Sequence, residues 1–118
     1  MQVLGEMVVR LVGRDEDDEV VTLGLSEDED GEGRALIFML AEDEDEPYCV
    51  TREYGSGTTY GGVVGWELTG TALTLRFSEE AARDLGVEAV VRVELLVDDA
   101  GVALVRAGLG EILTPGRS

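Results

Sequence analysis

The side chains able to do chemistry in this 118-residue chain are few in kind: 26 carboxylates, nine arginines, three tyrosines and one cysteine, with no histidine and no lysine. Without imidazole or ammonium groups, the usual agents of general acid–base, Schiff-base and phosphate-gripping chemistry are missing. Arginine does not serve as a base near neutral pH. Carboxylates alone can catalyse, but no spacing here singles out a pair, so the chain reads as a non-enzyme. Cys49, in YCVTREY, has no second cysteine for a disulfide and reads as a small apolar packing residue. Zinc and transition-metal sites fall away with one thiol and no imidazole. In SEDEDGEG, an EF-hand register on Gly31 puts Asp28 and Asp30 on ligand positions, but begins at Ser26 and ends at Ile37. Calcium needs a bidentate carboxylate at that last position. A register on Gly33 ends at Met39 and fails in the same way. YGSGTTYGG has no lysine and lies between strand-like runs, so it is not a phosphate loop. No metal and no cofactor are expected.

What the carboxylates offer instead is a field. Net charge is −17, and the stretch from Arg14 to Glu46 holds 15 acids against 2 arginines. Three acidic loops are expected, near 14–19, 26–33 and 41–47. Nucleic acid and anionic membranes are disfavoured as direct partners, because binding phosphate needs concentrated positive charge. A basic protein is the favoured partner. The candidate contact residues are Asp15, Glu16, Asp17, Asp18, Glu19, Asp28, Asp30, Asp43 and Asp45. Tyr48 joins them, since tyrosine is favoured as an interface anchor. Tyr48, Tyr54, Tyr60 and Trp66 all lie in or beside one predicted hairpin, where cross-strand packing is the competing use of aromatic rings. The N-terminus carries Glu6 and no basic residue before its apolar ones, unlike a signal peptide, and no apolar run reaches transmembrane length. A cytoplasmic protein is expected.

The elements that must position these groups follow from periodicity. Residues 1–118 read as a single domain of α+β class, a mostly antiparallel sheet of about six or seven strands with two helices in the C-terminal half. Val3, Met7, Val9 and Leu11 share one parity, against Gln2, Glu6 and Arg10, as in a half-buried strand. After the acid run, Val21, Leu23 and Leu25 alternate, so these first two strands should form a hairpin. RALIFML, residues 34–40, is an unbroken apolar run of strand length, read as a central strand buried on both faces, although periodicity alone also allows a helix. YCVTREY and TTYGGVVGWEL, joined by GSG, read as a second hairpin.

Glycine inside a strand packs nothing and loses the most backbone freedom on folding. Gly61 and Gly62 therefore predict a bulge or sharp bend, and Gly65, opposite Trp66, a bare face where another element packs closely. The last helix is the expected neighbour. TALTLRF alternates Leu73, Leu75 and Phe77 with polar residues, and VEAVVRVELLV does so with Ala89, Val91, Val93, Leu95 and Val97. Between them SEEAARDLG carries helix signals at both ends, Ser78 as N-cap and Gly86 as terminator. A C-terminal helix capped by Asp98 or Asp99 would bury Val102, Val105, Leu109 and Ile112. The tail at 114–118 should fray.

Residues 48–87 resemble a family of bacterial immunity proteins, the tenth in the numbered series encoded beside polymorphic toxins. The resemblance rests on Tyr48-Cys49, a short glycine-containing turn, Tyr60-Gly61-Gly62-Val63, the strand LTLRF and then SEEAARDLGV. It implies a non-enzymatic antidote that binds and neutralises a cognate toxin in the cytoplasm. The acidity adds the expectation of a basic toxin, for instance a nuclease. Two other readings compete. A general acidic module or nucleic-acid mimic would bind several basic proteins rather than one. A small enzyme or ligand carrier would need a concave, partly apolar pocket with convergent polar groups.

Overall fold

In a computed structural model of the chain, residues 4–17, 20–28, 34–41, 48–52 and 57–113 are described. The described residues form nine strands and two helices: β1 (Leu4–Val9), β2 (Leu11–Asp17), β3 (Val20–Ser26), β4 (Ala35–Ala41), β5 (Cys49–Arg52), β6 (Thr58–Tyr60), β7 (Val63–Thr69), β8 (Ala72–Phe77), α1 (Glu79–Leu85), β9 (Val87–Leu95) and α2 (Asp99–Leu113). The α+β class and the two late helices match the sequence expectation. The extra strands arise because the chain changes sheet twice within runs that read as single strands.

One sheet has the order β1-β9-β8-β7 and the other β2-β3-β4-β5-β6. All pairings are antiparallel except β1 with β9. The first change of sheet is made at Arg10. The Val9 carbonyl accepts from Leu96 N–H at 2.8 Å in the four-stranded sheet, while Arg10 N–H donates to the Ser26 carbonyl at 2.9 Å in the five-stranded one. Leu11, in phase with the core residues Met7 and Val9 by sequence, is therefore 42% exposed. Arg14 to Asp17, expected as loop, belong to β2 and pair with β3 from Leu23 to Val20. The hairpin with β3 is thus made by β2, not by the opening strand.

The second change is at Gly61–Gly62. Gly61 N–H donates to the Tyr48 carbonyl at 2.7 Å, and the Gly62 carbonyl accepts from Ser78 N–H at 2.9 Å. Both glycines have positive φ, 75° and 92°, a region costly for residues with a Cβ. The expected bend is present, and it carries the chain from β6 into β7 of the other sheet. Its close neighbour is α1, not the last helix: a Cβ on Gly62 would overlap the Ala81 methyl. At Gly65, expected to face a packed element, the nearest atom to such a Cβ is an Arg76 guanidinium nitrogen at 4.0 Å.

Both helices begin as their sequences specify, and α1 also ends so. Ser78 Oγ accepts from Ala81 N–H at 3.2 Å, and Gly86 closes α1 in the left-handed conformation at φ 71°. Asp98 Oδ1 accepts from Gly101 N–H at 2.9 Å, which settles the cap of α2 on Asp98. Helix α2 lies on β2, β3 and β4, with Val105, Leu109 and Ile112 fully buried. Helix α1 packs on β9, β6, β5 and β8. The Arg52 guanidinium holds its far end, donating to the Gly86 carbonyl at 2.9 Å. Ala89 leaves its predicted phase because β9 is out of register with β1 between Leu4 and Glu6. Trp66 is half-buried against the core that joins both sheets and both helices.

Candidate partner-binding surface

Burial differs sharply between the outer faces of the two sheets. On the four-stranded sheet, one outward row runs Glu6, Arg92, Thr74, Glu67 and the next Val8, Glu94, Ala72, Thr69. Four of these eight residues are charged, three carboxylates and Arg92, as on an ordinary solvated sheet. On the five-stranded sheet three of the outward rows are Asp15, Thr22, Met39, Cys49, Tyr60, then Gly13, Gly24, Ile37, Thr51, Thr58, then Leu11, Ser26, Ala35. These rows hold one carboxylate and no cation. Tyr60 is 64% exposed. Space is open above Gly13, and above its cross-strand partner Gly24 the nearest atom to an added Cβ is the Gly13 carbonyl oxygen at 3.9 Å. A shallow apolar trough of about 280 Å³ runs over this glycine pair between Leu11, Ala35 and Ile37.

RALIFML was expected to be buried on both faces. Inward, Leu36 and Phe38 are wholly buried, but Ile37 and Met39 are only half-buried, with no described element laid over them.

The predicted contact residues separate. Asp15 is exposed on the outer face, beside Thr22. Glu16 is exposed on the other side of β2, 3.4 Å from Arg14. Arg14 in turn reaches α2, with Nη2 2.7 Å from Glu111 Oε1. The hydrogen bonds that Arg14 donates to Glu111 and Glu16 hold its guanidinium above its ordinary pKa. Asp17 ends β2, and its side chain is not among those described. The Asp28 N–H donates to Ser26 Oγ at 3.2 Å, and that hydroxyl donates back to the Asp28 carbonyl at 2.9 Å. Asp18, Glu19, Asp30, Asp43 and Asp45 lie outside the described residues, as do Tyr54 and the tail at 114–118. Asp17 pairs with Val20 and Val20 with Ala41, so the acid runs that continue from Asp17 and from Ala41 leave the same end of the sheet.

Tyr48 has no surface to offer a partner: it is 5% exposed. Its hydroxyl accepts from Val63 N–H at 2.9 Å and donates to the Val63 carbonyl at 3.3 Å, tying the second crossover shut. Burial pushes the phenol above its ordinary pKa, against the opposing pull of the Val63 amide. Cys49 is half-buried on the outer face, and burial raises its thiol too.

Sequence reasoning passed over Glu27 inside the second acid run. Its carboxylate takes hydrogen bonds from Arg34 Nε at 2.6 Å, Arg34 Nη2 at 2.9 Å and the Val8 N–H at 3.0 Å. It thereby occupies a backbone donor on edge strand β1, which would otherwise invite a foreign strand. Burial opposes its ionisation, but the hydrogen bonds from Arg34 and Val8 together with the charges of Arg34 and Arg10 outweigh that and leave its pKa below the ordinary glutamate range. A lowered folded pKa means that the stabilisation is full at neutral pH and disappears as pH falls through the folded value. Glu27→Gln should therefore cost about 1 kcal/mol at pH 7, allowing for the partial exposure of the pair. In urea titrations the gap to wild type should narrow towards pH 3. A gap that stays constant with pH would show that the charge contributes nothing.

Near this pair lies an open groove of about 800 Å³ whose lining includes Glu6, Glu27, Arg34, Glu88 and Arg92. Met7, Val8 and Val90 contribute apolar surface to it, but it is wide open and five of its nine lining residues are charged, unlike the mostly apolar pocket that a ligand carrier needs. Among the described residues no three of Cys, Asp and Glu gather as metal ligands. Nor is any helix among them long and apolar enough to cross a membrane.

A family model described as immunity protein 10 matches residues 8–103. The chain belongs to this family. No curated protein matches the chain. The immunity protein 10 match begins in β1 and ends in α2, so it takes in both crossovers, the whole five-stranded sheet and α1. Membership supports an immunity function against a toxin.

Proposed function

We propose that this chain neutralises a cognate toxin in the cytoplasm by protein–protein inhibition, its acidic surface meeting a basic toxin. Family membership carries the first half of this reading. The second half is supported by the charge, of which the stretch 14–46 holds 15 acids and only 2 arginines. A nuclease is the favoured toxin class, because a cleft built for phosphate is lined with cations and accepts carboxylates in their place. Asp15 and Glu16, with the acids at 17–19, 28, 30, 43 and 45, act as steering charge. No residue of the chain performs catalysis in this scheme. Inhibition comes from occupying or overhanging the toxin's working surface.

The experiment is to mix the purified chain with the toxin encoded beside its gene, and to score complex formation and rescue of a toxin-expressing cell. No complex and no rescue would end the proposal. Steering adds a kinetic signature: the association rate should fall at least ~10-fold between low and ~0.5 M salt, with a smaller change in dissociation. A flat salt dependence would remove the electrostatic half and leave the inhibitor reading standing.

A further inference from the structure

We infer that the toxin seats on the outer face of the five-stranded sheet, with Ile37 and Met39 at the centre of the contact; this rests on the neutralisation reading above. The first support is a mismatch between sequence and burial. An unbroken apolar run belongs to a strand covered on both sides. Strand β4 is the middle strand of its sheet, yet no described element lies over Ile37 and Met39. The other sheet shows what this chain does with a face meant for water, since there four of the eight residues in the two outward rows are charged. The glycine pair Gly13 and Gly24 deepens the centre of the uncovered face, and exposed Tyr60 stands at one end of its row. A bare centre with an aromatic beside it suits an inserted apolar side chain of a partner.

Charge selects the occupant. A second copy of the chain would bring together two molecules of net charge −17 and set like rims against each other. A basic protein gains where a second copy loses, and Asp15 sits on the face itself. Size agrees as well. Strand spacing and rise make the face roughly 20 Å on a side, about half of the ~800 Å² that each partner buries in a standard interface. The apolar face is thus of an extent that suits the core of such an interface.

The test uses the full chain and the toxin encoded beside its gene. Ile37→Arg and Met39→Arg should each weaken binding by about 100-fold, since each buries a charge opposite a basic partner at the contact centre. Thr74→Arg, on the outer face of the other sheet, should change binding less than ~3-fold. A second readout needs no substitution. Cys49 lies in the same row as Met39 and is the chain's one cysteine. Its labelling by a maleimide at mildly alkaline pH should slow at least ~10-fold in the toxin complex, because interface cores exclude solvent. A stable complex in which Cys49 labels at the free rate, or in which Ile37→Arg binds as wild type does, overturns the inference and spares the neutralisation reading. Slowing that depends on the chain's own concentration, without toxin, assigns the face to self-association and overturns it too. If wild type forms no complex at all, the neutralisation reading fails first and takes this inference with it.

Discussion

Gly62→Ala should lower stability by about 3 kcal/mol, near the sum of two independent penalties. The residue sits at φ 92°, where a side chain costs roughly 1–2 kcal/mol. The added methyl would also meet that of Ala81, in a helix capped at both ends and packed between the two sheets, and forced overpacking costs about 1–3 kcal/mol. Neither neighbour can yield easily, because Tyr48 holds Gly61 and Val63 on either side of the bend. For a domain of this size the melting midpoint should fall by on the order of 12 °C. Gly65→Ala supplies the contrast. Its added carbon would lie 4.0 Å from a flexible arginine tip, so the change should be neutral or slightly stabilising. Equal effects at the two positions in thermal unfolding would remove the account of the crossover given above.

The second large effect is expected at Gly108, where α2 crosses β3. A Cβ there would approach three side-chain carbons of Leu23, at 3.0, 3.1 and 3.3 Å. Leu23 is wholly buried and has nowhere to turn. Alanine would press on it. Leucine would lift the helix from the sheet and expose Val105, Leu109 and Ile112 together. Gly108→Leu should therefore cost at least ~3 kcal/mol and loosen α2 in hydrogen exchange. Gly110, two residues on, has open space at its Cβ, and Gly110→Ala should stabilise the helix by about 0.5–1 kcal/mol. If Gly108→Leu melted like wild type, α2 would not be seated as described.

Where local chemistry decides structure, the sequence could be read directly. Ser78, Gly86 and the alternation of Leu73, Leu75 and Phe77 lie where their side chains dictate. What eluded sequence reasoning were events that leave alternation intact. At Arg10 the parity of Val9 and Leu11 continues while the hydrogen-bonding partner changes, so a core residue and a surface residue look alike. The acids of β2 read as loop because strand propensity weighs carboxylates against strands. An edge strand tolerates them, with Asp15 outward and Arg14 drawn over to Glu111. Tyr48 was suggested as an anchor by its type alone, and only the second crossover reveals the buried carbonyl and amide that its hydroxyl serves. The candidate surface was half legible: RALIFML announced two apolar faces, and which of them stays uncovered depends on where α2 lands.

The parallel pairing of β1 with β9 sets an order of assembly. Strands β2 to β6 each pair with the next in line, so every contact in that sheet closes a short loop. Strand β1 waits for a partner that lies far along the chain, with Leu4 aligned to Val87. Loop closure over such a separation is slow, and long-range pairing is what limits the rate in folds of this kind. On the ribosome, β1 emerges before β2 to β9 and is therefore among the last of them to be paired. In pulsed hydrogen exchange, the amides of β3 and β4 should gain protection before those of β1. Until β9 arrives, Met7 and Val9 are sticky, and the acid-rich stretch that follows them in the chain helps to keep nascent copies apart.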